Sequence, residues 1–393
     1  MTHARLLRPV LSSMTLGCLA VVLAPAGCSD DGLSAGTGDA STTADTEVVD
    51  GTSVGMDGSG TTSGSADGTG SSGAEGSSES SGGDGPMGGL PCIDDQFVNG
   101  PSPGPDYAMF DVPIGSHCQG TNQQDIVDIE RVVFLGDSVT VGTRPTGAND
   151  FYRSQLADEL ADLFGLQPPD GTWKQANPLS GTSLVQESGD FASCAEWGAR
   201  NDDLVPQLED CFAPEDFDLR TLVVMTMGGN DAAAIAKDAV AGVDAGTLFE
   251  ELDAMVARHR EAIEWLVADP GRFPNGVFVV NANVYEFTDY TGDLLSCPAA
   301  GVAGFDANPP NPELLMSSLT LINEEYMQIA QEMGTDVVFM FEGFCGHGFH
   351  SDDPQSPCYR GAGSENWFDL TCIHPTPAGH TALAEMFVNV IAE

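Results

Sequence analysis

Arg131-Val132-Val133-Phe134-Leu135-Gly136-Asp137-Ser138 is a short apolar run that ends in glycine, aspartate and serine. The run at 131–135 has the length and branched, apolar character of a buried strand. Asp-Ser is a common opening for a helix. A strand that turns into a helix at this point leaves the Ser138 hydroxyl at the carboxyl end of the strand. Backbone N–H groups there can stabilise developing negative charge. Taken alone, the tripeptide fits a nucleophile or a plain helix cap.

Further apolar runs follow at 221–227, 276–281 and 336–341. Between and after them, residues 150–164, 247–267, 312–333 and 377–391 carry apolar side chains at helical spacing. Strands alternating with helices imply a central parallel sheet covered on both faces, a three-layer α/β/α sandwich. Ligands in such folds bind at the carboxyl ends of the strands. Two more sets of polar residues fall there. Gly228-Gly229-Asn230-Asp231 directly follows the second run, and Ile373-His374-Pro375 precedes the last helix.

Gly-Asp-Ser, Gly-Gly-Asn-Asp and His-Pro, in that order, resemble the SGNH or GDSL hydrolase superfamily over about residues 131–393. The resemblance implies that family's flavodoxin-like fold and the hydrolysis of esters by an activated serine. On it, Ser138 attacks the ester carbonyl and His374 is the base. The oxyanion forms against the N–H groups of Ser138 and a glycine and the side-chain amide of Asn230. Gly198, in Trp197-Gly198-Ala199-Arg200, suits the family's glycine block, with Gly181 as the alternative. The interval between Ser138 and Gly198 is long for the family and implies an insertion including 173–189, near the mouth of the site. The family's acid stands three residues before the histidine, where this chain has Thr371. Asp369 is expected to fill that role across a two-residue insertion, and a backbone carbonyl orienting His374 is the alternative. No cofactor and no metal are expected by this route. His347, His350, Asp352 and Asp353 form a cluster of residue types that could bind Ca²⁺ or Zn²⁺, but polar residues are ordinary in such a loop. Asp289, Tyr290 and Asp293 follow the strand at 276–281 and are expected on a solvated loop, with the rim of the cleft as the alternative.

Residues 1–28 have the charged, apolar, small-residue order of a bacterial export signal. Cys28 after Ala26-Gly27 resembles the lipobox of bacterial lipoproteins, although Pro25 stands where that motif usually has leucine. The expectation is an extracytoplasmic protein, either an outer-membrane lipoprotein or secreted, that meets the membrane only through a lipid at Cys28. Residues 29–90 are rich in Gly, Ser, Thr and Asp without Lys, Arg or aromatics, and read as a disordered tether. Residues 91–125 read as a disulfide-stapled extension, and 126–393 as the hydrolase domain. Eight cysteines follow the tether, an even number that suits disulfides in an oxidising compartment. Proximity in sequence suggests Cys92–Cys118, Cys194–Cys211 and Cys345–Cys358, which leaves Cys297 with Cys372. Sequence does not fix this connectivity.

With 59 acidic against 13 basic residues, the formal charge of −46 repels phosphate backbones, so nucleic acid is excluded as a partner. The same charge disfavours anionic lipid surfaces. Small or carbohydrate esters are therefore placed slightly ahead of lipids as substrates, for a monomer acting on a small-molecule or glycan ester. Lipase or phospholipase activity is one alternative. A noncatalytic surface protein that keeps the fold for binding is the other.

Overall fold

The computed structural model describes residues 90–393. The export signal, Cys28 and the tether therefore lie outside the described residues, save Leu90. Six strands form one sheet: β1 (Arg131–Gly136), β2 (Glu187–Ser188), β3 (Phe191–Ser193), β4 (Thr221–Thr226), β5 (Val277–Ala282) and β6 (Asp336–Val338). Their spatial order is β2-β3-β1-β4-β5-β6, parallel throughout except for the antiparallel edge strand β2. The helices are α1 (Pro91–Asp94), α2 (Ser138–Val141), α3 (Tyr152–Phe164), α4 (Leu204–Cys211), α5 (Gly229–Val240), α6 (Ala245–Val267), α7 (Ala300–Ala303), α8 (Pro312–Met333), α9 (Met340–Phe344) and α10 (Pro377–Ile391).

Alternation along the strands builds the three layers. Val133 and Leu135 of β1 join Val223, Met225 and Val279 in the core beneath α4, α6 and α8. Val132 and Phe134 join Leu222, Val224 and Val280 in the opposite core, under α3 and α10. Every residue of β1 and β4 is buried, which explains why both strands read as continuous apolar runs rather than alternating ones. The helices open on local signals. Asp244 accepts from the N–H groups of Gly246 and Thr247 ahead of α6, and Asn311 accepts from Leu314 N–H ahead of α8.

The apolar run at 336–341 is a strand only as far as Val338. Phe339 leaves the sheet and Met340 and Phe341 open α9, with Phe341 N–H donating to Asn283 Oδ1 at 2.6 Å. A buried strand and a buried helical turn have the same apolar composition, so the run could not separate them.

Residues 91–125 pack along the outer edge of β6. Thr121 N–H donates to Val337 O and Phe339 N–H donates to Gln119 O, so the sheet edge is covered. Tyr107 stacks on Phe339 with ring centroids 4.2 Å apart. The three cysteine pairs suggested by proximity, and the remaining pair Cys297–Cys372, are disulfides in the structure. Among the described residues, no helix is long and apolar enough to cross a membrane.

Candidate active site

Strands β1 and β4 both deliver polar residues to the carboxyl edge of the sheet. Gly136 ends β1 at φ +132°, and a side chain there would collide with the carbonyl of Thr226 on β4. Glycine is thus required by close approach as well as by backbone angle. Asp137 then caps α2, its Oδ1 accepting from Val139 N–H at 2.9 Å. Burial pushes the Asp137 carboxyl up to about 7. Ser138 opens α2, and its N–H donates to no protein group among the described residues. Gln207 of α4 holds the turn from beneath, accepting from Gly136 N–H at 2.8 Å and donating to Gly136 O at 2.9 Å. Nothing in the sequence around Gln207 marks this role, because the contact spans 71 residues.

His374 enters from the loop before α10. Its Nε2 lies 2.9 Å from Ser138 Oγ, across 236 residues of chain. Tyr285, just past β5, donates its hydroxyl to Ile373 O at 2.6 Å and so fixes the backbone next to the imidazole. Burial lowers the pKa of His374, and the charge of Asp369 partly opposes that shift. A neutral imidazole at neutral pH can accept the serine proton.

Neither expected arrangement orients that imidazole. His374 Nδ1 contacts the hydroxyl of Thr371 at 2.6 Å, and Thr371 Oγ1 is 2.5 Å from Asp369 Oδ1. Asp369 therefore stands behind Thr371 instead of touching the ring, and no backbone carbonyl among the described residues takes its place. The physical reason is the shape of the loop. Asp369 N–H pairs with His374 O and Cys372 N–H with Asp369 O, closing a tight turn with Leu370 exposed at its tip and Cys372 buried. Cys372 takes φ +72° at the end of this turn and is bonded to Cys297.

The oxyanion candidates come from three separate elements. Asn230, at the start of α5, donates its side-chain amide to Ala199 O at 2.9 Å, which ties it to the loop carrying Gly198. That loop is tied in turn to the nucleophile turn, through Glu196 N–H to Gly136 O and Trp197 Nε1 to Gly142 O. Gly198 is exposed at φ +81° and its N–H has no protein partner among the described residues. Gly181 instead donates its N–H to Asn177 O and lies behind Trp197. Of the two glycines, only Gly198 has an N–H free to receive a ligand.

Beneath these groups lies a buried set that sequence reading missed. Asn201 donates its N–H and side-chain amide to Asp231 Oδ2, and its amide also reaches Tyr326 OH at 2.9 Å. His259 Nδ1 lies 3.2 Å from Asn201 Oδ1, and its ring stacks on Tyr326 at 3.8 Å. Burial pushes Asp231 up to about 6 and His259 down to about 3. Its members come from the loop before α4 and from α5, α6 and α8, so only folding assembles it.

A pocket of about 950 Å³, counting the solvent at its mouth, opens beside Ser138 and Asn230. It runs between α5, the segment after β5 and α8. Its lining is largely apolar, with Ile235, Phe287, Phe305, Met316, Leu319 and Ile322 among the contributors. Glu286 is a polar exception in the wall; burial pushes its carboxyl up to about 7.

Other sequence candidates have structural roles. Asp289 is fully buried, contrary to the expectation of a solvated loop, and accepts from the N–H groups of Gly346, Gly348 and His350. It organises the loop closed by Cys345–Cys358. Tyr290 hydrogen-bonds Thr320, and Asp293 accepts from Asn308 and lies near His350. His347 stacks on Trp367 with Nδ1 near Glu365 O. Asp353 reaches His350 only at 3.9 Å, Asp352 is exposed, and no set of three His, Cys, Asp or Glu side chains among the described residues is arranged for a metal. The 173–189 segment buries Trp173 against Phe134 and Phe191, and its Gly181 O accepts from Trp197 N–H.

A family model described as GDSL-like lipase/acylhydrolase matches residues 134–382. No curated protein matches the chain by sequence. Among solved structures, the chain is similar to an acetylxylan esterase from Geobacillus stearothermophilus, at 18% identity over 69% of this chain and 97% of that one, with a TM-score of 0.39. It is also similar to a phospholipase A1 from Streptomyces albidoflavus, at 18% identity over 66% and 98% of the two chains, with a TM-score of 0.40.

Proposed function

The chain belongs to the GDSL-like lipase/acylhydrolase family, an ester-hydrolysing group, and from that premise we propose that it is a serine esterase acting through an acyl-serine intermediate on esters with an apolar acyl chain. The observation that carries the reading is the 2.9 Å contact between His374 Nε2 and Ser138 Oγ at the mouth of an apolar pocket.

In this reading His374 takes the Ser138 proton as Oγ attacks the carbonyl carbon. The oxyanion of the tetrahedral intermediate accepts from the N–H groups of Ser138 and Gly198 and from the Asn230 amide. The intermediate collapses as His374 returns the proton to the leaving alcohol, and the acyl group stays on Ser138. Water, deprotonated by His374, then attacks the acyl carbon. The acid leaves and Ser138 recovers its proton.

The pocket lining also moves the substrate reading. Acidity alone placed small or carbohydrate esters slightly ahead. An apolar cavity beside the nucleophile instead suits a hydrocarbon chain, since each methylene buried there is worth about 0.8 kcal/mol. The four disulfides fit an oxidising compartment outside the cytoplasm. A lipid anchor at Cys28, a tether at 29–90 and a monomeric state complete the proposal.

p-Nitrophenyl esters of increasing acyl length, assayed on wild type and Ser138→Ala, test it. Expected are a kcat loss of about 10⁴-fold or more in the variant and a kcat/KM that climbs from acetate to longer chains. Release of nitrophenol that does not depend on Ser138 at any chain length would remove the esterase reading. A maximum at acetate would return the substrate to small esters.

A further inference from the structure

Thr371 occupies the position three residues before His374, where the family pattern has its acid. We propose that Thr371 is a positioning residue whose hydroxyl relays Asp369 to the base, so that Ser138, His374, Thr371 and Asp369 form one hydrogen-bonded line. This inference rests on the serine-esterase reading above.

The direction of every hydrogen bond in the line follows from one end. The Asp369 carboxylate can only accept, so the Thr371 hydroxyl donates to Oδ1 across 2.5 Å. With its single proton committed there, Thr371 Oγ1 can only accept from His374 Nδ1 across 2.6 Å. Nδ1 then carries the ring proton, and Nε2 is bare to accept from Ser138 across 2.9 Å. Asp369 thereby selects the productive tautomer without touching the ring. When His374 takes the serine proton, the imidazolium keeps its Nδ1–H on Oγ1. Thr371 retains its own proton and Asp369 remains the acceptor at the end, so no proton passes along the line.

The loop holds the hydroxyl in place. Asp369 Oδ1 also accepts from the N–H of Thr371 at 2.7 Å, and the branched threonine side chain has few rotamers. The next residue, Cys372, is buried and bonded to Cys297, and Tyr285 holds Ile373 O. A simple Asx turn accounts for the two bonds from Thr371 to Asp369. It does not account for the third, from Oγ1 to the imidazole.

The test compares kcat, KM and pH profiles of the full-length wild type, Thr371→Val, Thr371→Ser, Asp369→Asn and the Thr371→Val/Asp369→Asn double variant on p-nitrophenyl butyrate. The His374 Nδ1–H proton resonance is recorded in parallel without substrate. Thr371→Val is expected to lose about 100-fold in kcat with KM little changed, and its acidic limb moves to lower pH as the imidazolium loses its acceptor. Thr371→Ser recovers most of that loss. Asp369→Asn, which keeps the loop's hydrogen-bond positions, loses kcat as well, and the double variant is no worse than the poorer single one.

Retention of kcat, pH profile and resonance in Thr371→Val would overturn the relay, as would losses that multiply in the double variant. Should Thr371→Val fail to fold, Asp369→Asn and Thr371→Ser decide, and full activity in Asp369→Asn counts against the relay. The two readings fail separately. A wild type that hydrolyses no ester, yet shows a resonance lost in Thr371→Val, removes the esterase and keeps the relay. An active wild type with an unaltered Thr371→Val removes only the relay.

Discussion

The nucleophile turn at 135–141 and the base loop at 367–376 meet at one hydrogen bond but are built in opposite ways. The turn carries its own local signals, a strand end, a glycine at positive φ and an aspartate cap, and Gln207 of α4 braces it from beneath. The base loop has no regular structure of its own before α10. A disulfide to Cys297, the Tyr285 hydroxyl and a closed turn between Asp369 and His374 hold it. Where backbone geometry sets a catalytic atom, the local sequence is constrained and readable. Where distant ties set it, the local sequence is freer, and here a threonine stands three residues before His374.

Four variants would sharpen or break this contrast. The largest effect is expected for Gly136→Ala, because the new methyl meets the Thr226 carbonyl at a positive φ. Strain and overpacking together should cost about 4 kcal/mol or more, read as a lowered urea midpoint or insoluble protein. Near-normal stability would show that the turn is not locally constrained. Next, Cys297→Ser/Cys372→Ser opens a loop spanning 75 residues and should cost about 3–4 kcal/mol of stability. Turnover of the folded fraction should also fall, by about tenfold, as Thr371 and His374 drift. Cys194→Ser/Cys211→Ser should lose stability with little change in turnover. Equal turnover in both pairs would mean the base loop does not depend on its disulfide.

The smallest effect is a pH dependence confined to the nucleophile turn. Burial raises the folded-state pKa of Asp137 from 3.8 to about 7. A raised pKa means the folded state holds the proton more tightly, so this stabilisation is complete below about pH 4 and is lost as pH rises through about 7. Asp137→Asn keeps a capping oxygen without the charge. Its stability relative to wild type should therefore increase by roughly 2–3 kcal/mol between pH 4 and pH 8 in urea titrations. A difference independent of pH would show that Asp137 is not held neutral by its surroundings.

Much of the fold was legible because its signals are local. Apolar runs bounded by turn residues marked β1, β4, β5 and the start of β6, and apolar spacing marked α3, α6, α8 and α10. The run that became α9 was misread because burial favours the same side chains in either conformation. The short strands β2 and β3 and the helix α4 carry too few residues for a period to stand out.

The sequence by itself determined the order of the chemistry: serine after the first strand, asparagine after β4, histidine before the last helix. It also suggested three cysteine pairs by simple proximity and left Cys297 with Cys372. Tertiary structure alone decided which groups face one another. Packing freed the N–H of Gly198 while Gly181 was engaged, buried Asp289 as a structural anchor, and gathered Asn201, Asp231, His259 and Tyr326 beneath Asn230. It also set Thr371 between Asp369 and His374. The physical reason is range. Strand period, caps and turns depend on residues a few positions apart, whereas these contacts depend on how elements far apart in the chain pack and on the loop conformations that packing permits.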